Sequence, residues 1–135
     1  MSVTAQDALI HLMIIAASAD MHVTETEIGR IDGLVSRLPV FEGYDRSRLT
    51  SVANGAVDLV NANGLEGALE QLLRSIPERL HDTAYALAVE VTAVDLLLEQ
   101  EELRFLELLR DHLDLDRLVT AAIERAARAR LRRVQ

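Results

Sequence analysis

Cysteine, lysine and tryptophan are missing from this chain of 135 residues, and it holds only two prolines, two phenylalanines and two tyrosines. Without cysteine there is no disulfide, no thiolate metal ligand and no thiol nucleophile. Six glycines and two prolines are too few for the many tight turns of a sandwich or barrel, and long periodic stretches separate them. Four rings (Phe41, Tyr44, Tyr85, Phe105) leave the core of a 50% apolar chain to Leu, Val, Ile and Ala, which favours packed helices. The first twenty residues have no positive charge ahead of their apolar stretch, and His11 and Asp20 interrupt it. They read as neither a signal peptide nor a membrane span, so a cytoplasmic location is expected. No phosphate-cradling glycine loop, G-x-S-x-G or H-E-x-x-H is present, and the chain reads as non-enzymatic.

What is present is acid. Twenty-two acidic residues against fourteen arginines set the net charge at -8. An acidic body argues against nucleic acid as a partner and suits a cation. The charge is uneven: Arg125, Arg128, Arg130, Arg132 and Arg133 end the chain with no acid among them, which leaves -13 elsewhere once those five charges are taken from -8. These arginines read either as a solvated last turn that complements the helix dipole or as an anionic docking site.

Apolar spacing predicts an all-α fold of about seven helices in a single domain covering 1–135. They run over about 4–19, 24–38 (stopped by Pro39), 45–61, 65–75, 77–95 (opened by Pro77), 99–113, and a last helix capped by Asp114. Between the second and third, "LPVFEGYDRS" supplies Phe41 and Tyr44 to plug the core. The turn "NANG" (61–64) precedes the fourth, with Asn63 and Glu66 spaced as a capping arrangement.

An internal repeat carries more information than any single motif. At an offset of 75, "ASADMHVTETEIGRIDGLVSRL" (17–38) lies over "TAVDLLLEQEELRFLELLRDHL" (92–113). Asp20 falls on Asp95, Glu27 on Glu102, Ile31 on Leu106 and Leu34 on Leu109. Any two amphipathic helices align on their apolar stripes, so the matched acids are the informative part. Each Asp closes an apolar helix, where it opposes the helix dipole at a cost of up to ~1 kcal/mol.

The pattern A-D-x-x-[VI]-[ST]-x-x-E, an aliphatic helix after it, its repetition before "LDLD" and the "LPVF" after the second helix resemble the tellurite-resistance TerB-like family from Ala8 to Val119. The resemblance implies a compact helical fold with an internal pseudo-twofold repeat, in units of about 8–38 and 83–113. It also implies a bacterial stress-response role and a divalent-metal site made by Asp20, Glu27, Asp95 and Glu102. Coupling of the cation to a partner protein, a membrane-associated one included, follows from the same likeness.

The residues have plainer readings beside this one. Thr24-x-x-Glu27 is a capping box that by itself accounts for both side chains. Asp20 and Asp95 suit Asx-type turns. Four carboxylates brought together would repel without a cation, and an all-oxygen set suits calcium or magnesium rather than zinc. His22 beside Asp20 would shift the preference toward a transition metal. "DMHVTETE" is no EF-hand loop, since it lacks the alternating oxygen ligands and central glycine. Glu90, inside "YALAVEVTAVD", reads as a core hydrogen-bond partner or a supporting ligand. A metal-free helical interaction module, docking through its basic C-terminal helix, is the alternative function.

Overall fold

A computed structural model describes residues 3–18, 23–92 and 100–134, with residues 100–102 by backbone alone. Six α-helices lie among them: α1 (Ala5–Ala17), α2 (Glu25–Arg37), α3 (Leu49–Arg74), α4 (His81–Thr92), α5 (Gln100–Leu113) and α6 (Arg117–Arg130). The described residues hold no strand, so the chain is all-α.

Helix α1 is apolar on every side, which a helix tolerates only when surrounded. Every residue from Ala8 to Ala16 is buried, and the helix packs on α3, α4, α2 and α5. It is the axis of the core. Thr4 caps it by accepting from the Asp7 N–H at 3.1 Å. The helices around it are one-sided: α2 buries Ile31, Leu34 and Val35, while α5 buries Phe105, Leu106, Leu109 and Leu113. Truncating such a fully enclosed side chain, Leu9 or Ile14 for example, costs about 2–5 kcal/mol through lost transfer energy and the cavity left behind. α6 packs on α4 and forms an outer layer.

The segment after Pro39 carries out the expected plug. Phe41 is buried and Tyr44 is half-buried, their rings 6.4 Å apart edge to face. The Tyr44 hydroxyl donates to Asp7 at 2.8 Å, which ties this segment to the first turn of α1.

The break expected between the third and fourth helices is present as a kink within α3, where Gly64 adopts φ 74° and ψ 169°, a conformation only glycine enters at low cost. Two expected caps are corrected. Asn63 and Glu66 make no capping box there: the Asn63 side chain donates to the Leu59 carbonyl at 3.0 Å and accepts from Gln71 at 2.9 Å. Asp116, not Asp114, caps the last helix, its carboxylate accepting from the Leu118 N–H at 2.7 Å. Asp114 instead takes a left-handed φ of 53° just past the end of α5, a position that Asp and Asn tolerate better than other residues with a side chain.

Candidate metal centre

Of the four carboxylates expected to hold a cation, one is described with its side chain. Glu27 occupies the third position of α2 and completes the capping box. The Thr24 hydroxyl accepts from the Glu27 N–H at 3.1 Å, and Glu27 Oε1 accepts from the Thr24 N–H at 3.0 Å. Oε1 also lies 3.0 Å from the Thr24 hydroxyl, so this oxygen is committed to the cap. Glu102 lies in α5 at the corresponding third position, and its side chain is outside the description. Asp20, Asp95 and His22 lie outside the described residues.

Glu90 has a different employment from either one expected. On α4 and half-buried, it receives a two-pronged contact from Arg130 in the last turn of α6, with Nε donating to Oε1 at 3.2 Å and Nη2 donating to Oε2. One arginine of the basic end is therefore an internal counter-ion. Arg125, Arg128, Arg132 and Arg133 are exposed and make no ion pair with a described residue.

The structure assembles a cluster that sequence reading missed. Glu66 and Glu70 lie one turn apart on α3 beyond its bend, and His112 lies in the last turn of α5. One ligand atom from each falls within 4.8 Å of the other two. His112 Nε2 is 3.7 Å from Glu66 Oε1, and His112 Nδ1 is 2.9 Å from the Leu108 carbonyl oxygen. A carbonyl only accepts, so Nδ1 is the donor in that bond, which leaves Nε2 as the ring atom that faces the two carboxylates. The i, i+4 spacing of the glutamates was legible, but the histidine arrives from a different helix.

No family model, curated protein or solved structure matches the chain. The functional reading therefore stands on residues and geometry.

Two further polar networks are structural. Asp7 accepts from Tyr44 and, at 2.8 Å, from Arg48. Burial raises its carboxyl pKa, but these two partners outweigh burial and hold it below the ordinary value. Burial, then donation to Asp7, pushes the Tyr44 phenol up to about 12. The Tyr85 ring, buried under α6, donates to Glu124 at 2.5 Å, and Arg110 donates to the same oxygen at 3.2 Å. Burial and this bond raise the Tyr85 pKa further, so both phenols stay protonated donors at neutral pH. Neither network holds an activated nucleophile.

Proposed function

We propose that this chain is a non-enzymatic, TerB-like helical domain that binds a divalent cation, calcium or magnesium, through Asp20, Glu27, Asp95 and Glu102. The cation would join the two acidic turns and present a surface to a partner protein, in a bacterial stress response of the tellurite-resistance kind. One observation carries the reading. Displaced by 75 residues, α1 falls on 80–92 against the His81–Thr92 of α4, and α2 falls on 100–112 against the Gln100–Leu113 of α5. Buried Ile31 and Leu34 then coincide with buried Leu106 and Leu109. The repeated sequence thus spans two pairs of helices, with each Glu at the third position of the second helix; Asp20 and Asp95 lie outside the described residues. α1 and α4 pack against each other, an arrangement that suits a pseudo-twofold relation between the halves.

The test is a calorimetric titration of the chelator-stripped protein with Ca²⁺, Mg²⁺, Mn²⁺ and Zn²⁺, repeated on Asp20→Ala and Asp95→Ala. Saturable binding that each substitution weakens, with a melting temperature that rises on adding cation, is the expected result. Lack of saturable binding below millimolar concentration sinks the reading.

A second reading, a metal-free interaction module, draws on α6. Leu118 there is 80% exposed, Val119 is also exposed, and arginines follow along the same helix. Under that reading, Asp20→Ala and Asp95→Ala change stability alone.

A further inference from the structure

We propose a second cation site, separate from the acidic turns, in which Glu66, Glu70 and His112 bind a divalent transition metal of the zinc type and clamp the end of α5 to α3. The inference does not depend on the calcium or magnesium reading above. Its starting point is the imidazole. The Leu108 carbonyl holds the proton on Nδ1, and Nε2 faces Glu66 Oε1 at 3.7 Å. That separation is too long for a hydrogen bond. Two ligands each about 2.0–2.1 Å from a shared ion stand roughly 3–4 Å apart, and the observed distance falls in that interval.

Among the described residues Glu70 makes no ion pair, and Glu66 pairs with His112 alone. Nε2 and two carboxylates therefore converge with no described arginine between them, an arrangement that calls for positive charge. A metal ion supplies that charge. The three ligand atoms lie within 4.8 Å of one another, and rotation of the exposed Glu66 and Glu70 side chains can draw them closer. The bond from Nδ1–H to a backbone carbonyl is the outer contact that ordinarily orients a metal-bound histidine and sets its tautomer.

The donor set selects the class of ion. Calcium takes six to eight oxygen ligands and magnesium keeps an octahedron of oxygens, whereas one imidazole nitrogen with two carboxylates suits zinc and its transition-metal neighbours. Three protein ligands leave the remaining positions to water. The placement implies a structural consequence. Glu66 and Glu70 follow the bend at Gly64, so a bound ion would fix the direction of that half of α3 relative to α5.

The test uses the full chain carrying Asp20→Ala and Asp95→Ala, so that failure of the first site and failure of this one are distinguishable. Zinc chloride is titrated into this chelator-stripped protein by calorimetry, then into the same protein with His112→Ala or Glu70→Gln added. One zinc per chain is expected, with affinity falling at least tenfold in each added variant, the usual size of a lost ligand or its support. Nitrogen NMR of the imidazole should show Nε2 shifting on zinc addition while Nδ1 stays protonated. Should His112→Ala lose helical circular dichroism, Glu70→Gln, an exposed change of the same shape, carries the test. An isotherm that Glu70→Gln leaves unchanged, or no saturable zinc binding below millimolar concentration, overturns the proposal.

Discussion

The imidazole of His11 on α1 lies against the bare backbone of Gly55 on α3: a Cβ built at Gly55 would stand 3.3 Å from His11 Nε2 and 3.8 Å from its neighbouring ring carbon. The ring is 8% exposed and its Nδ1 has no hydrogen-bond partner among the described residues. The absence of a side chain at Gly55 is what admits a histidine to the central helix.

Glycines in helix interiors normally cost about 1 kcal/mol relative to alanine. At Gly29 and Gly33, both in α2, an added Cβ meets nothing within 4 Å. Gly29→Ala and Gly33→Ala should each therefore stabilise the fold by up to about 1 kcal/mol. Gly55→Ala should give no such gain, since the ring it crowds is enclosed by the core. Thermal denaturation of the three variants checks the contrast, and a stabilised Gly55→Ala would contradict it.

Burial lowers the pKa of His11 below 6.5, and the nearby Asp7 carboxylate only partly opposes that. The unfolded chain takes up a proton near pH 6.5 while the folded chain resists it. The His11 contribution to stability is therefore complete above that pH and declines as the pH falls from about 6.5 toward the folded value. Asp7, whose folded pKa lies below 3.8, holds its contribution above that value and loses it at lower pH still. Urea denaturation between pH 8 and 5 should show wild type losing stability more steeply than His11→Leu; parallel curves would refute the assignment.

Arg130→Ala should cost about 1 kcal/mol, because it leaves the half-buried Glu90 carboxylate without its counter-ion, although solvent around Arg130 keeps the loss near the range of exposed pairs. Arg132→Ala and Arg133→Ala, at exposed positions with no ion pair to a described residue, should stay within about 0.5 kcal/mol of wild type. A double-mutant cycle on Glu90 and Arg130 gives the coupling directly. It should shrink as salt is raised, owing to screening.

The capping box offers a means of separating structure from cation binding at Glu27. Thr24→Ala removes the acceptor for the Glu27 N–H and should cost about 1 kcal/mol of stability, as lost N-caps commonly do. It removes no carboxylate, so on the proposed reading the calcium affinity should persist while the melting temperature drops. If affinity collapses with the cap, Glu27 is a structural residue and not a ligand in its own right.

Some of this was written locally in the chain. Helix α2 begins after Thr24 and stops before Pro39 because a capping box and a proline act within one turn of themselves. The burial of α1 follows from an apolar run that His11 alone interrupts between Ala8 and Ala16, and that of Phe41 from the shortage of other aromatic plugs. Where two local signals competed, the reading failed. Asp114 and Asp116 are both plausible caps, and the choice fell to Asp116 because the chain leaves α5 through a left-handed residue at 114. "NANG" is a turn signal, and Gly64 does leave helical geometry there, at φ 74° and ψ 169°.

The sequence by itself determined the all-α class, the capped start and proline stop of α2 and the plugging role of Phe41, since periodicity, capping and composition act over a few residues. Only the tertiary structure decided that Glu90 answers Arg130, that Tyr85 reaches Glu124, and that His112 meets Glu66 and Glu70. Those pairings join residues 39 to 46 positions apart, across helices whose relative placement comes from the summed packing of their apolar faces. No single residue type encodes that sum, so the partners of a charged side chain become visible only once the helices are assembled.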